Sequence, residues 1–178
     1  MRRLALIIAV VCISVGANAQ GMFEYGTQIF KLGIGVNGDG TPFEVSYERG
    51  VQENFLGVDG LILGLGGNLG YYGYKKDFSG YSMNYSWKYN NIIAAGRALV
   101  HYGFISNLDT YGGLMLGYNV ADTKYEGPNS GSIPSPSAGG LILGGLVGAR
   151  YAFSPAWGAY IEAGFGISNL NIGVAYKF

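Results

Sequence analysis

Apolar side chains alternate with small or polar ones along most of this chain, and a period of two marks a β-strand whose two faces differ. From Thr27 to Asn37, Phe30, Leu32, Ile34 and Val36 share one face, with Lys31, Gly33, Gly35 and Asn37 on the other. Pro42 to Gly50 sets Phe43, Val45 and Tyr47 against Glu44, Ser46 and Glu48. Val58 to Tyr74 sets Leu61, Leu63, Leu65, Leu69 and Tyr71 against Gly64, Gly66, Asn68 and Tyr72. The fourth segment, Trp87 to Tyr102, is less regular, with Ile92, Ala94, Ala98, Val100 and Tyr102 opposed to Asn91, Arg97 and His101. In the fifth, Leu114, Leu116, Tyr118 and Val120 oppose Gly113, Met115, Gly117 and Asn119. The sixth, Leu141 to Phe153, sets Leu143, Val147, Ala149 and Tyr151 against Gly144, Gly148 and Arg150. The seventh, Trp157 to Ile167, sets Ala159, Ile161, Ala163 and Phe165 against Tyr160, Glu162, Gly164 and Gly166. The eighth, Asn171 to Phe178, carries Ile172, Val174, Tyr176 and Phe178 on its apolar face.

Eight such segments, with no helical period after residue 20, predict an all-β domain: an eight-stranded antiparallel up-and-down barrel. The connectors Gly38–Thr41, Lys75–Ser86, Asp122–Gly139 and Ser168–Leu170 fall at one end. The shorter set, Gly50–Gly57, Gly103–Asp109 and Ser154–Ala156, falls at the other.

Composition decides which way the barrel faces. Only 12% of residues are charged, while 15% are aromatic and 32 are glycine. A soluble, lipocalin-like barrel needs a charged exterior and an apolar cavity. Here the non-apolar faces hold Gly, Asn and Ser with isolated charges, which suits a packed polar lumen inside an exterior facing lipid. Only a closed sheet crosses lipid without unpaired edges. Longer loops belong outside such barrels, so both termini are expected on the periplasmic side and loops 75–86 and 122–139 on the cell surface.

The start of the chain agrees. Arg2 and Arg3, the apolar run Leu4–Val15 and the small residues Ala17-Asn18-Ala19 read as a secretory signal peptide. Its roughly 12 apolar residues are too few for a spanning helix. Residues 1–19 are therefore expected to be removed, leaving 20–178 as one barrel domain. The one cysteine, Cys12, leaves with that segment, and its neighbours Ala9-Val10-Val11 make a poor lipoprotein box. No disulfide framework, thiolate nucleophile or cysteine metal site is expected. Without Arg2 and Arg3, nine basic residues face eleven acidic ones, a net charge near −2 with no footprint for nucleic acid.

On these faces Glu44, Glu48, Arg97, Arg150 and Glu162 all point into the barrel. An eight-stranded interior is just wide enough for side chains to fill, and buried ions must be paired. A lumenal Glu/Arg network is expected, with His101 near its periplasmic end. Together with the signal peptide, the eight alternating segments and the terminal Tyr176-Lys177-Phe178, this resembles the small outer-membrane β-barrel family that includes the OmpA barrel and OmpX. The resemblance implies a place in the Gram-negative outer membrane among lipid and lipopolysaccharide. It also implies delivery by periplasmic chaperones and an assembly machinery that reads Tyr176 and Phe178.

Some barrels of this kind modify lipid or cleave protein, so catalysis needs a test. The sole histidine, His101, is followed by Tyr102-Gly103, with no serine two residues on to share its face. It is expected to be a structural or interfacial residue. Asp77 and Asp122 are single loop carboxylates, and Leu61–Gly70 lacks the Gly-Lys-Ser/Thr of a phosphate loop. No catalytic residue, cofactor or metal is expected. The reading is a non-enzymatic scaffold with a side-chain-filled polar lumen, whose loops 75–86 and 122–139 meet an extracellular ligand. The alternative is a narrow porin-like channel for ions or small solutes. Tyr81, Tyr85, Trp87 and Tyr125 are the candidate surface contacts, or else part of the interfacial aromatic girdle that such barrels carry.

Overall fold

The computed structural model describes residues 22–37, 40–80, 83–127 and 137–178. The segment 1–19, the turn at 38–39, Tyr81 and most of the run 128–137 lie outside the described residues. Eight strands follow one another: β1 Gln28–Val36, β2 Phe43–Gln52, β3 Ile62–Gly80, β4 Met83–Ile105, β5 Leu108–Glu126, β6 Ser137–Ala152, β7 Trp157–Phe165 and β8 Leu170–Lys177. Each pairs antiparallel with its neighbours, and β1 pairs with β8, as in Lys31 opposite Ala175, to close the ring. This is the expected eight-stranded up-and-down barrel. A closed ring leaves no unpaired edge within the wall.

The exterior is apolar around the ring. Phe30, Leu32 and Ile34 on β1, Leu65, Leu69 and Tyr71 on β3, and Leu114, Leu116 and Tyr118 on β5 are all exposed. Leu141, Leu143 and Val147 on β6 and Ile172 and Val174 on β8 continue the belt. A continuous apolar surface of this extent is stable against hydrocarbon and not against water. Among the described residues no helix is long and apolar enough to cross a membrane; the strands do the crossing.

Inside, the fill is mixed. Ile29, Leu99, Ile93, Met115 and Ile167 are buried in the lumen beside Lys31, Glu48, Arg97, His101, Asp109 and Arg150. This explains the irregular fourth segment: β4 buries Ile93 and Leu99 inward while Ile92 and Val100 face out, so both of its faces carry apolar residues.

Strand lengths depart from expectation. β3, β4 and β5 span 19, 23 and 19 residues, against 9 for β1 and 8 for β8. The segment 75–86, expected as a loop, is largely strand, and Asp122–Glu126 extends β5. The β2–β3 ladder ends at Phe43 with Tyr71, whereas β3 and β4 stay paired as far as Gly80 with Met83. The result is a three-stranded blade rising beyond the wall. The alternation did not extend into it because the polarity of the faces reverses there. Below Tyr71 the outward face is apolar; above it the outward positions are Lys75, Asp77, Lys88, Lys124 and Glu126. The inward positions become Tyr74, Phe78, Tyr85, Trp87, Tyr89 and Tyr125.

Candidate functional site

The chain before β1 turns back into the barrel mouth. Gly26 adopts a positive φ of 81°, its N–H donates to the Gly50 carbonyl at 2.9 Å, and Thr27 N–H donates to the Glu24 carbonyl at 3.1 Å. Lys177 Nζ donates to the Met22 carbonyl at 3.2 Å. This hook drops Phe23 into the lumen, where it packs with Ile29, Ile62, Tyr160 and Ala175.

Beneath Phe23 lies a continuous ion lattice. His101 on β4 faces a carboxylate with each ring nitrogen: Nε2 meets Glu48, and Nδ1 meets Asp109 Oδ2 at 3.0 Å. Only an imidazolium has an N–H to offer on both sides. Asp109 also accepts from Arg150 Nη2 at 2.5 Å. Glu48 lies 3.8 Å from Lys31 Nζ. Lys31 Nζ reaches Glu162 Oε1 at 2.5 Å, and the same oxygen accepts from Arg97 Nη2 and from Tyr111 O–H, both at 2.8 Å. The cations lie against ring faces as well: Lys31 Nζ is 4.8 Å from the Tyr111 centroid and 5.2 Å from that of Tyr160.

Two glycines make the room. A Cβ at Gly64 would stand 2.5 Å from Glu48 Oε1 and 3.0 Å from His101 Nε2; one at Gly148 would stand 2.7 Å from the Tyr111 ring and 2.9 Å from Glu162 Cγ. A missing side chain on one strand is what lets a long one from the neighbouring strand cross the lumen.

The five expected lumenal charges, Glu44, Glu48, Arg97, Arg150 and Glu162, are all buried in the interior. Four of them join the lattice. Glu44 stands apart, accepting from Asn68 Nδ2 at 2.8 Å and from the Ser168 hydroxyl. A cavity of about 10 Å³ lies between that pair and Glu162, lined also by Asn68 and Asn171. It has room for about one water.

Sequence reasoning missed three members. Lys31 lies on the inward face but was left out of the network. Asp109 was assigned to a connector, although it is the first inward position of β5, paired with Arg150. Phe23 precedes the first strand and has no periodic signal. His101 is no interfacial residue; it is 1% exposed and sits at the centre of the lattice.

The candidate surface aromatics are placed differently from a lipid girdle. Tyr85, Trp87 and Tyr125 share the sheet face that continues the lumen, and Tyr125 touches the other two. Tyr85 and Tyr125 have centroids 5.8 Å apart, Trp87 and Tyr125 5.2 Å, and Phe78 stacks on Tyr85 at 5.2 Å. Tyr176 and Phe178 lie on the outer surface at the opposite end, with Trp157 4.9 Å from Tyr176.

No family model matches the chain, and no curated protein is similar to it at a significant level. Solved structures do resemble it. The N-terminal β-barrel domain of Pseudomonas aeruginosa OprF superposes with a TM-score of 0.53 at 13% identity, over 87% of this chain and 98% of that one. Ail, the attachment invasion locus protein of Yersinia pestis, solved in complex with the heparin analogue sucrose octasulfate, gives 0.52 at 15% identity over 87% and 100%. Neisserial surface protein A gives 0.51 at 16% identity over 86% and 96%. At these identities the likeness establishes the fold: the eight-stranded barrel of small outer-membrane proteins.

Proposed function

We propose that this chain is an integral outer-membrane barrel protein that works without catalysis, as a plugged scaffold carrying a surface blade. The observation that carries this reading is the lumen itself. The ion lattice runs from Asp109 and Arg150 through His101 and Glu48 to Lys31, Glu162 and Arg97, and Phe23 covers one end. Each carboxylate of the lattice holds more than one partner, so re-pairing any of them breaks several bonds at once. His101 has both ring nitrogens occupied and lies under Phe23, the position of a structural ion and not of a base facing a substrate.

The orientation follows from strand length. The wall ends in short turns on the side of the termini, while β3, β4 and β5 extend beyond it on the other. Such barrels keep short turns in the periplasm and long extensions outside, so the blade stands on the cell surface and both termini in the periplasm. Tyr176 and Phe178, exposed on the periplasmic rim, are available to an assembly machinery. The blade offers the surface contact. Ail, similar in fold, was solved with a sulfated sugar analogue, which supports an extracellular polymer or host surface as the class of partner.

The test is electrical. Protein purified from outer membranes is inserted into a planar bilayer, with insertion verified by protease protection, and its conductance recorded. A silent membrane is the expected result. Discrete, stable openings would replace the scaffold by a narrow channel for ions or small solutes.

A further inference from the structure

Inward side chains from four strands converge beside the turn between β7 and β8. Glu44 on β2, Asn68 on β3, Glu162 on β7 and Asn171 on β8 line the small cavity described above, together with Ser168 from the turn. Two glycines of β1 clear the space for this group. A Cβ at Gly33 would collide with the Tyr160 hydroxyl and Asn171 Oδ1, and one at Gly35 with Ser168 Oγ.

Both asparagines are more than nine-tenths buried, and each has one end of its amide engaged. Asn68 Nδ2 donates to Glu44 Oε2 at 2.8 Å, and Asn171 Oδ1 accepts from the Tyr160 hydroxyl at 2.8 Å. The end of Asn68 that faces Glu44 must be the nitrogen, because a carboxylate only accepts. The remaining ends, Asn68 Oδ1 and Asn171 Nδ2, are buried without a partner among the described residues. Buried amide groups are costly to leave unbonded, so such a pair lining one cavity calls for a shared guest.

We infer that the cavity binds one water molecule, which accepts from Asn171 Nδ2 and donates to Asn68 Oδ1. Its second hydrogen is available to the carboxylate of Glu44 or Glu162. The volume of about 10 Å³ fits a single water, which needs about 10–15 Å³ and two to four polar partners. One free donor beside one free acceptor selects the guest. A metal ion or an ammonium has no lone pair for Asn171. An anion has no hydrogen for Asn68 and would sit between two carboxylates. Charge agrees. Among the described residues the interior holds Lys31, Arg97, Arg150 and the His101 imidazolium against Glu44, Glu48, Asp109 and Glu162, four against four. A neutral guest keeps that balance, whereas an added buried ion would upset it.

The water ties Glu44, which stands apart from the ion lattice, to Asn171 and so to Tyr160, whose ring lies 5.2 Å from Lys31 Nζ. The lumen then holds one connected polar body from Asp109 to Glu44. The site extends the plug proposed above, and its occupancy is read without recording conductance, so each can fail alone.

The experiment uses isotope-labelled protein extracted from outer membranes into detergent. Asn171 is 3% exposed, out of reach of bulk solvent. Its side-chain amide protons are expected to show a nuclear Overhauser cross-peak at the water frequency. Ser168→Ala and Tyr160→Phe remove the neighbouring hydroxyls that could relay such a signal by exchange, and both should keep it. Asn68→Leu removes the acceptor and should lose it. A wild-type protein without the cross-peak, a cross-peak that vanishes with either hydroxyl, or one that outlasts Asn68→Leu overturns the inference. Should a variant fail to fold, a crystal structure of the wild-type protein decides. Density within about 3 Å of both Asn68 Oδ1 and Asn171 Nδ2 is expected, and its absence would overturn the site. Crystals grown with thallium(I) replacing sodium and potassium exclude the remaining guest: anomalous signal in the cavity would make the occupant a monovalent cation and not water.

Discussion

Phe23 lies flat on His101, their ring centroids 3.9 Å apart and their planes 22° from parallel. The Arg150 guanidinium is 5.3 Å from the same Phe23 ring. A residue from before the first strand thus shields two cations of the lumen from the solvent at the barrel mouth. Phe23→Ala removes a buried aromatic and should lower stability by about 3–5 kcal/mol. Urea unfolding in detergent reads it, and an unchanged midpoint would mean that the hook is not part of the folded barrel.

Arg97→Ala leaves Glu162 with one cation fewer in a buried site. Removing one partner of a buried pair costs about 3–5 kcal/mol. Because Arg97 and Glu162 share a bond of 2.8 Å, the double variant Arg97→Ala, Glu162→Gln should cost less than the two single changes summed. Additive losses in a urea-unfolding cycle would show that the two side chains do not act as a pair.

The chain has two tryptophans, and the structure gives them opposite surroundings. Trp157 faces outward on the wall beside Tyr176, whereas Trp87 lies on the inner face of the blade against Tyr125. In single-tryptophan variants reconstituted in vesicles, brominated lipid should quench the fluorescence of Trp157 and leave that of Trp87. Acrylamide should act in the reverse order. Quenching of Trp87 by brominated lipid would return the aromatic cluster to the girdle.

Phe178 touches Tyr47 and Tyr176, with centroids 6.3 Å and 5.9 Å away, at an exposed rim. Deleting it should change stability in detergent by less than about 1 kcal/mol, as expected of an exposed position. The yield in the outer membrane of living cells should fall severalfold. Equal yields would remove Tyr176 and Phe178 from any role in assembly.

Strand number, order and facing were legible because a membrane barrel enforces one rule on every strand, apolar outward. Where the rule holds, as in Phe30, Leu32 and Ile34, a period of two is unmistakable. It fails as a guide in three places, each for a physical reason. Above Tyr71 water replaces lipid on both faces and the polarity reverses, so the strand there carries no lipid-facing signal. At β4 the lumen is apolar at Ile93 and Leu99, which blurs the contrast between faces. Phe23 obeys no period because a hook is not a strand. The lumenal charges could be placed inside from parity alone, but their partners could not. Which carboxylate meets which cation depends on the stagger between strands far apart in sequence, and alternation carries no information about stagger.

The bond between Lys31 and Glu162 joins β1 to β7 across β8, bridging 131 positions of sequence at the seam where the ring closes. A sheet that closed two residues out of step would keep every outward side chain outward, and lipid would not detect the error. The ammonium of Lys31 would, because it would be sealed in the interior away from Glu162. The lumenal charges therefore proof-read the seam: they add little to a correctly closed ring that well-packed apolar residues could not supply, yet they make each misaligned closure costly.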